Sequence, residues 1–442
     1  MKFRLSILFV ISFSTALQAQ QVFSLTDCVN YSLNKHPSLR VSENNVLIAK
    51  EKGKQALSGY LPQINSAATF VDNFKLQTTI LPAGVAGPTE KAVQFGTQFN
   101  TNAAFDFTQT VFDKSKLEGI KANKPYQELT QLQKEQNREE IAYNASVAYY
   151  QVLMLQEQQK TLLNNKLKYE GLLKTLEKQV KLGVAFQKDY DRILVSLNTT
   201  NYQIEDVVSK ENMALMSLKN TIGMPLDEPL TIKDNQDYES FAKPVAENNF
   251  NTSDLLEMKL SDKQIALERI NLDAKKATFL PVVTIFGKFG TQALNNDFSK
   301  AFDNWSGFSY VGLSVNMPIF TGLKRKSLID EAKLNLDNDI RNYQINRNNL
   351  VLRYQNAHTS VITAYSNFKS SKDNMTLAKS LSDVTNFQYQ KGVASVSDYL
   401  NDDNAYKNTQ NNYLNSLYNL MITQLNYQKS KGSLLSFLNE LK

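Results

Sequence analysis

The sequence is poor in the residues that most often carry chemistry. Its 442 residues include a single Cys, a single Trp and two His. One Cys excludes a disulfide framework within the chain and any Cys-rich zinc or iron–sulfur site, and His36 and His358, far apart in sequence, supply metal coordination poorly. No Walker A phosphate loop, no Gly-x-Ser-x-Gly elbow and no His-Glu-x-x-His is present, so neither an enzyme nor a cofactor is expected. The net charge of +6 is too small to point to nucleic acid. No stretch of eighteen consecutive apolar residues occurs, which excludes an ordinary transmembrane helix. What remains is a chain long enough for two or three globular domains, or for one elongated domain with a repeat.

Residues 1–19 read as a secretory signal peptide. Lys2 and Arg4 precede an apolar run from Leu5 to Leu17, and Ala19 stands before the polar Gln20 and Gln21. Leu25-Thr26-Asp27-Cys28 superficially fits a lipid-acylation site, but Cys28 lies beyond the apolar run and Asp27 stands where a small residue is needed. Ser24 followed three residues later by Asp27 fits a helix capping box better and makes Cys28 a small buried residue.

The mature chain repeats itself. Gly183-Val184-Ala185 followed by Asp189-Tyr190 recurs 209 residues on as Gly392-Val393-Ala394 followed by Asp398-Tyr399, and Leu61-Pro62 recurs 219 residues on as Leu280-Pro281. Each half reads as helix, strand, loop, strand, very long helix, tight turn, helix. The first repeat spans 20–222, with strands at 62–76 and 94–112, a long helix over 113–182 and a returning helix over 187–222. The second spans 251–430, with strands at 281–291 and 305–320, a long helix over 323–391 and a returning helix over 396–430. Segments 223–250 and 431–442 interrupt the helical pattern, the former through Pro225, Pro229 and Pro244. Apolar residues in the long helices step alternately by three and four, as at Ala145, Ala148, Val152 and Leu155, and again at Leu350, Tyr354, Ala357 and Val361. This is a coiled-coil seam. Pro37 is expected to bend or restart the first helix, leaving His36 at a junction.

The strands carry a period of two. Ile64, Phe70 and Phe74 alternate with polar neighbours, as do Phe95, Phe99, Phe105 and Phe107, and Val311, Leu313 and Val315; in 281–291, Lys288 breaks a less regular pattern. Strands of ten or more residues with one apolar face, bounded by polar loops at 77–93 and 292–304, have the length and alternation of transmembrane β-strands. Four strands cannot close a barrel, and open edges in hydrocarbon leave backbone groups unpaired, so several chains must meet. A bore wide enough to continue into a helical tunnel favours three.

In its opening Ser24-Leu25-Thr26-Asp27-Cys28, its Leu-Pro strand starts, its Pro318-Ile319-Phe320-Thr321-Gly322 exit and its duplicated Gly-Val-Ala turn, the chain resembles the TolC-like outer-membrane efflux proteins of Gram-negative bacteria. The resemblance covers nearly the whole mature chain. It implies an α+β membrane protein, a homotrimer with a twelve-stranded barrel, a periplasmic coiled-coil tunnel, and an equatorial domain built from 223–250 and the C-terminal tail. The implied function is a passive exit duct of a tripartite efflux or type I secretion system, embedded in outer-membrane lipid. Its implied partners are a periplasmic adaptor and an inner-membrane pump, either a resistance-type transporter or an ATP-driven exporter. A secreted structural or adhesive coiled-coil protein is the alternative from another class.

The resemblance also places a gate at the helix-hairpin tips, where Gly183, Val184, Ala185, Gly392, Val393 and Ala394 form the turns and the adaptor docks. Gly183 and Gly392 are simplest as helix-terminating residues of positive φ. Asp189 and Asp398 fall in the first turns of the returning helices, complementing the helix dipole, and Asp398 from three chains is expected to form a cation-favouring ring. Tyr389 is expected to tie neighbouring coils through Asp189. Two departures from the family pattern are evident. Ala394 stands where relatives carry an Arg, and Asn401 where they carry a second acid, with Asp402 displaced around the helix; a differently wired gate using Lys188 is expected. Aromatics near strand ends, Trp305, Phe74, Phe95, Phe289, Phe308 and Tyr310, are candidates for interfacial belts.

Overall fold

The structure, a computed structural model, describes residues 22–85, 87–233 and 250–441. The leader over 1–19, and residues 234–249 of the expected equatorial segment with Pro244, lie outside the described residues. In chain order the elements are β1 (Val22–Phe23), α1 (Leu25–Lys35), α2 (Pro37–Ser58), β2 (Gln63–Asp72), β3 (Thr78–Leu81), β4 (Lys91–Gln94), β5 (Phe99–Phe112), α3 (Lys114–Lys121), α4 (Asn123–Lys181), α5 (Gln187–Ile222), β6 (Thr231–Ile232), α6 (Leu256–Ala277), β7 (Val282–Asn295), β8 (Ser306–Asn316), α7 (Lys324–Gln390), α8 (Val396–Lys431) and α9 (Leu434–Glu440). Two compact units result. One holds residues up to Glu43 with Gln133–Met258 and Asn346–Lys442; the other holds Asn44–Leu132 and Lys259–Ile345.

In the first unit, the Ser24 hydroxyl accepts the Asp27 amide and the Asp27 carboxylate accepts the Ser24 amide at 3.0 Å, a reciprocal cap that starts α1. Cys28 is thereby fully buried, and burial pushes its thiol up to about 12, which makes it unreactive. α1 stops at His36, and Pro37 opens α2, where its missing N–H costs nothing. Gly223 ends α5 at φ 75° against this junction; a Cβ there would lie 2.9 Å from the His36 Cα, so only glycine fits. β1 and β6 pair in parallel, Val22 with Thr231 and Phe23 with Ile232. Their buried residues join one core with Tyr149, Tyr150, Leu153, Leu218, Leu420, Leu425, and Leu434 and Leu438 of α9.

The second unit carries an antiparallel sheet of order β2-β5-β7-β8. Directly paired residues in an antiparallel sheet share a face, so the register decides which sequence patterns add up. Ile64 pairs with Phe107, Phe105 with Phe289, Ile285 with Leu313 and Val283 with Val315. All four apolar rows therefore fall on one face. The opposite face carries Asn65, Asp106 and Lys288 in one row, and the Lys288 ammonium lies 3.2 Å from the Asp106 carboxylate. Across β7 and β8 the rings of Phe286 and Phe308 cover Gly312 and Gly290, where a Cβ would stand 2.6 Å and 2.9 Å from them.

Several boundaries differ from those expected. The helix expected over 113–182 is broken: Asp113 caps α3, and α4 restarts at Asn123 because Pro125 has no amide to continue the ladder. The strand expected over 94–112 divides at Gly96, whose φ of 111° interrupts the extended chain, and β4 folds back on β3. The strand expected to reach 320 ends at Asn316, two residues before Pro318, while the one expected to end at 291 pairs on to Asn295. Among the described residues, no helix is long and apolar enough to cross a membrane.

Candidate functional site

Both hairpin tips form by the same local rule. Gly183 at φ 68° and Gly392 at φ 74° reverse the chain; the Val184 amide donates to the Gln179 carbonyl and the Val393 amide to the Gln388 carbonyl, each at 2.9 Å. These bonds satisfy carbonyls that a helix end otherwise strands. The turns leave apolar residues in the open: Leu182, Val184, Phe186 and Val393 are each more than 70% exposed.

Beyond the second tip, Ser395 caps α8 and Asp398 completes the box, its carboxylate accepting the Ser395 amide at 3.1 Å and the hydroxyl at 2.6 Å. Those bonds hold the Asp398 carboxyl below its ordinary pKa, so the exposed group stays ionised. Asn401 is exposed, whereas Asp402 turns to α7 and accepts the Thr385 hydroxyl at 2.5 Å. The Tyr389 ring packs 5.7 Å from that of Tyr399, and its hydroxyl is pushed upward first by burial and then by the nearby negative Asp189. Among the described residues Tyr389 and Asp189 form no hydrogen bond. Asp189 instead lies 3.5 Å from Arg192, whose guanidinium donates to the Ser397 hydroxyl on α8 at 2.6 Å. The link between the hairpins at this level thus runs through Arg192. Lys188 lies over the Phe186 ring of its own hairpin at 5.4 Å. The three-residue step from Asp189 to Arg192 was a legible helical ion-pair spacing; the partner Ser397, more than 200 positions away, was not.

Sequence reasoning also missed a buried cluster farther from the tip. Asp403 of α8, 1% exposed, accepts from Lys168 of α4 at 2.7 Å and from the Tyr169 hydroxyl, and lies 3.2 Å from Lys407. Lys407 also donates to Tyr169, and Lys168 lies 5.0 Å from the Tyr399 ring centre. Burial raises the Asp403 carboxyl against the opposing bond from Lys168. Burial, and then repulsion from Lys168, lower the Lys407 ammonium to about 8. Around these groups pack Leu173, Leu176, Ile193 and Val396.

On the sheet, register separates the expected belt aromatics. Phe289 lies on the apolar face and is 68% exposed, but Tyr310 pairs with Lys288 and Phe308 with Gly290, which puts both on the polar face. Their candidacy for a lipid-facing belt is therefore corrected. Phe74 and Phe95 lie beyond the paired residues of β2 and β5 and are exposed; Trp305, directly before β8, is 44% exposed. The loop expected to be polar over 292–304, which spans 296–305 in the structure, instead lays Phe298 and Phe302 against Phe70 and Phe99, with ring centres 5.5–6.2 Å apart. The Thr101 hydroxyl, donating to the buried Ala301 carbonyl at 2.8 Å, pins that loop to the apolar face. No group of His, Cys, Asp and Glu suited to a metal ion occurs among the described residues.

A sheet greasy on one face, long helices and two matching tip turns define an architecture that combines strands with coiled-coil helices. Comparison with known proteins narrows it. Residues 254–433 match the family described as "Outer membrane efflux protein". The chain is 22% identical to outer membrane protein TolC of Escherichia coli, over 98% of this chain and 87% of that one. Its fold is similar to the Campylobacter jejuni CmeC outer membrane channel, with a TM-score of 0.75 at 14% identity, covering 93% of this chain and 86% of that one. It is also similar to the outer membrane protein VceC of Vibrio cholerae, with a TM-score of 0.72 at 15% identity, covering 92% and 96%. The chain is thus similar in sequence and fold to the TolC-like outer-membrane efflux proteins. The relatives it resembles are outer-membrane proteins.

Proposed function

We propose that three copies of this chain close a twelve-stranded barrel that continues into a periplasmic helical tunnel, and that the assembly is the passive exit duct of a tripartite efflux or type I secretion system. The observation that carries this reading is the sheet β2-β5-β7-β8 with its exposed apolar face. Its two outer strands, β2 and β8, each have a single partner, and lipid does not tolerate open edges. The strands alternate in direction, so β8 of one copy meets β2 of the next antiparallel, and the wall closes without a reversal. Cargo is loaded by an inner-membrane pump through a periplasmic adaptor, for which the exposed apolar tips around Val184 and Val393 offer the docking surface. Ionised Asp398 from three copies forms a cation-favouring ring at the periplasmic end.

Single-channel recording in planar bilayers tests this. Detergent-extracted protein is expected to run as a trimer and to give discrete cation-preferring openings. Asp398→Ala is expected to lose cation preference and block by divalent ions. A chain that stays monomeric and soluble without detergent would overturn the duct, and an Asp398→Ala channel with unaltered selectivity would overturn the ring.

A further inference from the structure

We propose that the buried group Lys168, Tyr169, Asp403 and Lys407 is the fulcrum of the α7–α8 hairpin: it stays closed while the tip beyond it moves. This rests on the reading of the tips as a gate and adds where the moving part ends. Three sets of contacts act on the hairpin at different levels. Near the tip, an exposed polar link joins it to α5, from Arg192 to Ser397, beside the packed Val396, Tyr399 and Ile193. Within the hairpin, Thr385 with Asp402 and Tyr389 with Tyr399 hold α7 to α8, so the two helices move together. Farther along, Asp403 ties α8 to Lys168 and Tyr169 of α4, and Lys407 reaches back to the same tyrosine.

The levels differ in how readily they part. The Arg192 side chain is 48% exposed, so water replaces its bonds at little cost. Asp403 and Tyr169 are 1% and 0% exposed, and separating them strands the carboxylate without its hydroxyl and ammonium partners beside the packed Leu173, Leu176 and Ile193. A displacement that frees the tip therefore stops at Asp403. That residue lies seven positions past Val396, the first residue of α8, about 10 Å along the helix at 1.5 Å per residue. With that lever arm a bend of about 20° carries the start of α8 sideways by roughly 3–4 Å.

Distances between spin labels across the trimer test the fulcrum. Labels are placed at exposed Val393 on the tip or at exposed Asn412 on the far side of Asp403, in a Cys28→Ser background. Arg192→Ala is expected to lengthen or broaden the Val393 distances and leave those at Asn412 unchanged. Adding Tyr169→Phe or Asp403→Asn is expected to shift the Asn412 distances as well; Tyr169→Phe removes one hydroxyl while keeping the ring, so it covers the case in which Asp403→Asn fails to fold. Asn412 moving together with Val393 in Arg192→Ala alone would overturn the proposal, as would an unmoved Asn412 in the combined variants. Conductance separates the two readings: if no variant conducts in bilayers, the gate itself fails, whereas conducting variants with the wrong label pattern refute only the fulcrum.

Discussion

At Lys407, burial and the Lys168 ammonium favour the neutral amine, with a folded-state value of about 8 against the ordinary 10.5. Between those values the unfolded chain binds a proton that the folded chain has released, so stability rises with pH through this window. Asp403, Tyr169, Lys168 and Tyr399 are the titratable neighbours, and burial raises the Asp403 carboxyl. Thermal melting of the purified trimer is expected to shift upward from pH 7.5 to 9.5. Lys407→Met should flatten that rise; an equal rise in the variant would remove Lys407 as its source. The Ser395 hydroxyl acts locally, accepting the Asp398 amide at 3.1 Å and donating to the Asp398 carboxylate at 2.6 Å. Ser395→Ala is expected to destabilise the start of α8 by about 1 kcal/mol, measured as faster amide exchange over the first turn of α8.

At the scale of elements, the sheet depends on glycines that strand propensity alone would disfavour. A Cβ at Gly290 would stand 2.7 Å from the Ala104 Cβ and 2.8 Å from the Ala103 carbonyl, both on the neighbouring strand. Gly290→Val must push β5 and β7 apart, at a cost of about 1–3 kcal/mol or more, and is expected to cut the yield of detergent-stable trimer sharply. Gly307→Val is the control, because the nearest atom to its Cβ is 3.9 Å away. Equal trimer yields from the two would show that close strand approach is not what Gly290 provides. The tip turns are elements of another kind: Gly183 and Gly392 meet nothing within 4 Å of an added Cβ, so their glycine is required by positive φ alone.

At the scale of the whole molecule, the proposed duct requires completing what one chain leaves open. The apolar face of the sheet keeps Phe105, Phe289, Val311, Leu313 and Val315 more than half exposed, a state that lipid satisfies and water does not. Trp305, the sole tryptophan, reports this directly. In reconstituted trimers, lipids brominated near the headgroup are expected to quench its fluorescence more strongly than lipids brominated near the chain end. The reverse order would place Trp305 in the hydrocarbon and remove it from the interfacial belt.

The sequence by itself determined whatever depends on near neighbours along the chain. The Ser24–Asp27 cap, the restart at Pro37, the glycine turns at the tips and the period of each strand were all legible, because a backbone angle or a bond three residues away decides them. The tertiary structure alone decided which distant residues meet. Arg192 found Ser397, Lys168 and Tyr169 found Asp403, and Phe70 found Phe302, each across a long stretch of chain. Register did the same for the faces: alternation marked Tyr310 and Phe289 alike as aromatic strand residues, and only the pairing of Tyr310 with Lys288 put them on opposite sides. A period of two states that a strand has two faces, but pairing with its neighbours is what makes one of them the outside.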